Sequence, residues 1–225
     1  MSNTVRRERF QGPIAILADI AANLEALDAV IAGCRHAGAA TFFVGGGLCD
    51  RGSQPLEVWQ RLQEIGAQCT RGVSELAMSS IEPSNLRPTD ASQRAALERF
   101  KANRAALGEL ILLRMKKLPD VLRVELEDGA ELAVMYGSPR DPLTPIEHDL
   151  TDEELYDLVH DDSADVIVSG GAGVSFVRAL DGVTVVGAGS VGAVAQATGE
   201  RKAAHFVLVA PTSAGLRVEP RWVHW

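Results

Sequence analysis

The chain has 225 residues, a formal net charge of −8, 46% hydrophobic and 23% charged residues. That length is enough to bury a substantial core, and the composition is ordinary for a soluble globular protein. A diffuse negative charge argues against non-specific nucleic-acid or anionic-membrane binding, since both need a basic surface. The three cysteines Cys34, Cys49 and Cys69 lie far apart without a C-x-x-C pair, which suits free thiols better than a disulfide framework. No apolar run after Arg6, Arg7 and Arg9 has signal-peptide length, and none approaches the roughly 18–20 residues of a membrane span. A cytoplasmic protein with no nucleic-acid or membrane partner is expected.

Ile14, Ala15, Ile16, Leu17 and Ala18 form an apolar run ending at Asp19, as in a buried strand that delivers a polar residue at its C-terminal tip. Asn23 is placed to cap a helix with apolar residues at Leu24, Leu27, Val30, Ile31 and Cys34, closed by Gly38. A strand over 41–44 runs into Gly45-Gly46-Gly47, followed by a helix over 55–65 and a strand over 68–70. This βαβαβ opening predicts an α/β class with parallel strands. Helical periodicity returns over 90–117, where Ala95, Leu97, Phe100, Leu107, Leu110, Ile111 and Met115 fall near one face. Beyond Pro119, residues 121–127 and 131–135 read as a hairpin turning at Asp128-Gly129. Thr151-Asp152-Glu153-Glu154 is a capping box opening a helix to about His160. Strands over 165–169, 176–180, 183–186, 204–210 and 216–225 complete the chain. Without an internal repeat or linker, residues 1–12 read as a basic tail and 13–225 as a single domain.

Five short loops follow these strands: Ala18-Asp19-Ile20-Ala21-Ala22-Asn23, Gly46-Gly47-Leu48-Cys49-Asp50-Arg51-Gly52, Arg71-Gly72-Val73-Ser74-Glu75, Tyr136-Gly137-Ser138-Pro139 and Gly170-Gly171-Ala172-Gly173. Their order and spacing resemble the calcineurin-like metallophosphoesterases, whose pattern is D-x-H-G-N, G-D-x-x-x-R-G, G-N-H-[DE], H-G-S-P and G-H-T-H. The resemblance covers nearly the whole chain. It includes the turn-shaping Arg51-Gly52, Arg71-Gly72, Gly137-Ser138-Pro139-Arg140-Asp141-Pro142 and Gly189-Ser190-Val191-Gly192. It implies an α/β fold, a four-layer α/β/β/α sandwich of two mixed sheets flanked by helices.

The metal ligands do not follow the pattern. Asp19 alone stands at a ligand position, whereas Ala21, Gly47, Val73, Tyr136, Gly171 and Gly173 replace His, Asp, Asn, His, His and His. Ser74 stands where the family has its catalytic His. Family members hold two metal ions that activate a bridging water. Alanine, valine and glycine offer no donor atom, and a tyrosine ligand must lose a proton of pKa near 10. The resemblance therefore implies the fold without the family's chemistry.

A non-catalytic pseudo-phosphoesterase is expected, with no cofactor, no metal and no catalytic residue, binding a small polar ligand or a protein partner. Asp19, Asn23, Arg71, Tyr136, Ser138, Gly171 and Gly189 are the expected cleft residues. With the cations gone, a neutral or weakly charged ligand suits them better than a polyphosphate. One alternative is a divalent-metal-dependent phosphoesterase rebuilt on Asp19, Asp50 and Glu75, although Asp50 and Glu75 are expected to face solvent or pair with Arg51 and Arg71. Another is a self-assembling homo-oligomer joined through an apolar C-terminus, Trp222, Val223 and Trp225. Residues 183–192 also match a strand followed by G-x-G-x-x-G, the dinucleotide fingerprint, but no acidic residue follows about twenty residues on at the end of a second strand.

Overall fold

A computed structural model describes residues 4–7, 12–125, 129–192, 202–212 and 215–225. In chain order its first half holds β1 (Thr4–Arg7), β2 (Ile14–Leu17), α1 (Leu24–His36), β3 (Thr41–Val44), α2 (Pro55–Glu64), β4 (Gln68–Cys69), α3 (Val73–Ser80) and α4 (Ala91–Lys116). The second half holds β5 (Val121–Glu125), β6 (Glu131–Met135), α5 (Asp152–Val159), β7 (Val166–Ser169), β8 (Ser175–Leu180), β9 (Val183–Ala188), β10 (Ala203–Thr212) and β11 (Gly215–His224). One sheet has the order β11-β10-β2-β3-β4, the other β1-β5-β6-β7-β9-β8. Both are mixed: β2, β3 and β4 run parallel while β10 is antiparallel to β2, and β6, β7 and β9 run parallel while β5 is antiparallel to β6.

Side-chain alternation along the strands builds three cores and hence four layers. From β2, Ile14 and Ile16 point between the sheets, where they meet Val134, Val168 and Val186. Ala15 and Leu17 point the other way, into the core beneath α1 and α2 with Leu27, Val30 and Val58. From β6, Ala133 and Met135 face α5, meeting Leu155 and Val159. Strands covered on both faces favour apolar residues at successive positions, which is why β2 is apolar throughout and β7 is apolar up to its last residue, Ser169.

Four expectations need correction. Thr4–Arg7, read as part of a basic tail, is a strand parallel to β5. Helix α3 had no strong apolar periodicity and was not expected; only Glu75 and Met78 in it are buried. Helix α4 does not present one apolar face, because Gly108 adopts φ 70° and resets the helical phase. Leu107 and Met115 are consequently buried while Leu110 is 77% exposed. The C-terminus is also not an exposed apolar tail. Trp222 is exposed, but Val223 and Trp225 pack against the helix-side core, Val223 lying over Gly33 of α1. The dinucleotide reading fails on topology, since β9 is followed by β10 of the other sheet rather than by a parallel neighbour. The turn expected at 128–129 lies partly outside the described residues. Among the described residues no helix is long and apolar enough to cross a membrane.

Just beyond β3 and β7 the backbones that leave the two sheets touch. A Cβ on Gly170 would lie 2.0 Å from the Gly45 carbonyl oxygen, a contact with backbone that cannot swing away. Gly170→Ala is therefore expected to lower the unfolding free energy by about 3 kcal/mol or more, by overpacking. Gly182→Ala, which meets no atom within 4 Å but has φ +79°, should cost only about 1 kcal/mol. Urea denaturation of both variants checks the contrast; equal losses would mean that the sheet contact is not limiting.

Candidate functional site

The loops after β2, β3, β6 and β7 converge at one end of the sandwich. Asp19 N–H donates to the Gly46 carbonyl at 3.1 Å, and Gly171 N–H to the Tyr136 carbonyl at 2.8 Å. At the centre lies the Tyr136 ring. A Cβ on Gly46 would come within 2.8 Å of it, one on Gly72 within 2.4 Å and one on Gly171 within 2.8 Å. Three loops thus supply glycines that together form a seat for one aromatic ring. Burial, with the Asp19 carboxylate adding to it, pushes the Tyr136 phenol up to about 12, so its hydroxyl keeps its proton at neutral pH.

Asp19 is 5% exposed, and its Oδ1 has no hydrogen-bond partner among the described residues. The nearest cation is the Arg51 guanidinium, whose Nη2 lies 3.7 Å from that oxygen, while Nε bonds Asp50 Oδ2 at 3.1 Å. Burial pushes the Asp19 carboxyl up to about 7; Arg51 opposes the shift, and Asp50 and Glu75 add to it. The backbone here is strained. Among the described residues, the non-glycine positions with positive φ are Asp19 (48°), Ala21 (55°), Ala22 (54°) and Arg51 (35°), all in these loops. Such conformations cost ~1–3 kcal/mol each and concentrate at functional loops.

Glu75 does not face solvent or pair with Arg71, as had been expected. It is 1% exposed at the start of α3 and accepts N–H bonds from Leu48 (2.7 Å), Gly72 (2.8 Å) and Gly47 (3.1 Å). Burial raises its pKa, and the three N–H donors pull it back in part. The carboxylate ties the glycine loop after β3 to the N-terminus of α3. Sequence reading missed this, although a Glu three residues after a helix-starting Gly is the spacing that satisfies first-turn N–H groups. It also missed Asn103. That side chain reaches from α4 to donate to the carbonyls of Cys49 (3.4 Å) and Gly52 (3.0 Å), holding the loop that carries Arg51. No local signal marks it, since α4 carries polar and charged residues along most of its length.

Of the expected cleft residues, Asp19, Tyr136 and Gly171 come together. Asn23 spends its carbonyl oxygen capping α1 through the Ala26 N–H at 3.1 Å. Arg71 turns away to pair with Asp120, Nε to Oδ1 at 2.6 Å. Ser138 is 1% exposed and closes its own turn, accepting the Asp141 N–H at 3.1 Å. Gly189 packs against His205, but its loop is strapped to the site: Ser190 Oγ and Gly192 N–H both donate to the Asp19 carbonyl, at 3.1 and 2.9 Å. Ser74 lies half-buried in the first turn of α3.

Solved structures share this architecture. A hypothetical protein from Pyrococcus horikoshii OT3 is 20% identical with a TM-score of 0.78, covering 95% of this chain and 88% of that one. A metallophosphoesterase from Sphaerobacter thermophilus is 19% identical with a TM-score of 0.71, covering 95% and 89%. The chain has the metallophosphoesterase fold. An archaeal phosphodiesterase aligns less closely, at 15% identity and a TM-score of 0.50 over 95% of this chain and 99% of that one. No family model and no curated protein matches the sequence.

The metallophosphoesterase fold implies a two-metal centre, and the residues present do not fit one. Among the described residues no group of three or more His, Cys, Asp and Glu side chains is arranged to hold a metal ion. Asp19 supplies a single carboxylate and Glu75 is committed to backbone. At position 47 a Cβ would lie 2.2 Å from Asp19 Oδ1, so the present arrangement has no room for a second carboxylate there.

The raised Asp19 pKa has a definite sign. Unfolded, the group titrates near 3.8; folded, near 7, so the native state holds the proton more tightly. The contribution is complete below about pH 4 and is lost as pH rises through about 7. Asp19→Asn removes this dependence, whereas the raised Glu75 is common to both proteins and cancels. The stability of Asp19→Asn relative to the parent should therefore grow by roughly 2–4 kcal/mol between pH 4 and pH 8. Denaturant unfolding across that range measures it; a pH-independent difference would show that Asp19 ionises normally.

Proposed function

We propose that this protein is a metal-independent pseudo-phosphoesterase that uses the cleft around Asp19 and Tyr136 to bind a small polar ligand. The observation that carries the reading is the Tyr136 ring seated against Gly46, Gly72 and Gly171, with Cβ clearances of 2.4–2.8 Å. At positions 136 and 171, where the family resemblance calls for imidazole donors, an aromatic ring and a glycine meet instead. Larger side chains at 46, 72 or 171 would displace the ring, so the replacements at 136 and 171 support each other.

The donors that face the cleft suit recognition. The Tyr136 hydroxyl remains protonated, the Asp19 carboxyl sits between its two states near neutral pH, and Arg51 supplies a single cation shared with Asp50. Hydrogen bonds of about 0.5–1.5 kcal/mol each, or ~1.5–3 with a charged partner, sum to affinities suited to a metabolite. A protein partner's polar loop would use the same groups. The rebuilt metal site on Asp19, Asp50 and Glu75 has less support, because releasing Glu75 leaves three buried N–H groups unpaired.

Protein purified without chelator is expected to carry far less than one equivalent of Mn, Fe, Zn or Ni by elemental analysis. With Mn²⁺ added, its rate on phosphomonoesters and phosphodiesters should equal that of Asp19→Ala. Stoichiometric metal, or a rate that disappears in Asp19→Ala, would overturn the proposal in favour of a rebuilt catalytic centre.

A further inference from the structure

The connection from α3 to α4 and the first half of α4 gather apolar side chains that the three cores leave out. Ile81, Leu86 and Leu97 belong to none of them, and Ile81 and Leu86 are 38% and 39% exposed. Together with Ala77, Pro88, Ala96 and Phe100 they line a pocket of 400 Å³, which is the size of a small-molecule site. No residue of the Tyr136 cleft takes part in it. Only Arg87 and Gln93 in its lining are polar, and no carboxylate is among the lining residues.

Both polar groups offer donors. Arg87 Nη1 donates to the Ser84 and Leu86 carbonyls, and the guanidinium makes no ion pair among the described residues. Its Nε and Nη2 groups keep their N–H donors for another partner. Gln93 Oε1 accepts from the Thr89 N–H at 2.9 Å and from its hydroxyl at 3.1 Å, which leaves the amide N–H groups available. The surrounding charge has the same sign. Residues 77–104 carry Arg87, Arg94, Arg99, Lys101 and Arg104 against Glu82, Asp90 and Glu98, a net charge of +2 in a chain of −8. Asp90 is engaged by the Gln93 N–H at 2.8 Å and Glu98 by Lys101 at 2.8 Å. An apolar trough whose one charged wall residue is a cation without a counter-ion suits an amphiphile with a single anionic head. The planar guanidinium fork matches a carboxylate.

We propose that this pocket binds a medium-chain aliphatic carboxylate, its chain laid along Ile81, Leu86, Leu97 and Phe100 and its head met by Arg87 and the Gln93 amide. The site lies outside the Asp19 cleft and goes beyond the ligand-binding reading of that cleft. A metal-loaded protein would sink the earlier reading and leave this one standing.

Calorimetric titration with octanoate, kept below micelle-forming concentrations, should show saturable one-to-one binding. A fully buried methylene is worth roughly fourfold in affinity, so butanoate should bind at least about tenfold more weakly even in a half-open trough. Octanamide, with the same chain and no charge, should also lose about tenfold. Arg87→Gln should weaken octanoate by about tenfold and leave octanamide unchanged, and Arg87→Lys should recover part of the loss. Leu97→Ser should weaken both ligands, with unfolding curves showing that all three variants fold. Butanoate or octanamide binding as tightly as octanoate, an unchanged Arg87→Gln, or no saturable response to octanoate would each overturn the proposal. Capture by phosphatidylglycerol vesicles without a response to soluble octanoate would overturn it in favour of a membrane surface.

Discussion

The close approach of backbone to the Tyr136 ring is the constraint on which the site's organisation depends. Gly46, Gly72 and Gly171 belong to loops that follow three different strands, β3, β4 and β7, and all press on one aromatic side chain from β6's end. A methyl group at any of them would force the ring out or the loops apart. Protein interiors tolerate such displacement poorly, because neighbouring atoms are already at contact density. Gly171 both removes a donor atom and gives the ring its space, while Gly46 and Gly72 stand where the resemblance also has glycine. Loss of coordination and gain of packing therefore coincide at positions 136 and 171.

The electrostatics follow from the same exchange. A buried carboxylate such as Asp19 needs a compensating cation, and here it has a guanidinium 3.7 Å away that also serves Asp50. At an effective dielectric of 20, a charge pair at that distance attracts by about 4 kcal/mol. Burial still outweighs it, since the pKa ends near 7 rather than below its ordinary value. A divalent ion would hold that carboxylate ionised; one shared arginine does not. Glu75 solves its own burial differently, with three backbone N–H groups in place of a counter-ion. The loop after β3 is thereby held in place by hydrogen bonds.

A shared fold does not carry shared chemistry, because function resides in the groups that the fold presents. Here the metallophosphoesterase frame carries strained loops, with Asp19, Ala21, Ala22 and Arg51 all at positive φ. Alanine occupies two of these strained positions. The same loops wall a neighbouring pocket that Lys202 and Trp225, from the far end of the chain, help to close.

By itself the sequence determined the α/β class, most of the elements and the end of the sandwich where the loops meet. Unbroken apolar runs such as Ile14 to Leu17, helix caps such as Asn23, and the order of the glycine-containing turns are local signals that survive without coordinates. It also showed which donor atoms were missing, since the side chains of Ala21 and Gly47 carry none in any fold. Only the tertiary structure decided where the remaining polar groups point. Arg71 and Glu75 are four residues apart, yet one pairs outward with Asp120 and the other turns inward to backbone 27 and 28 residues away. Asn103 reaches its loop across 51 residues, and the phase of α4 turns on one dihedral at Gly108. Such choices are set by which partners folding brings within about 3 Å, and no local pattern encodes that distance.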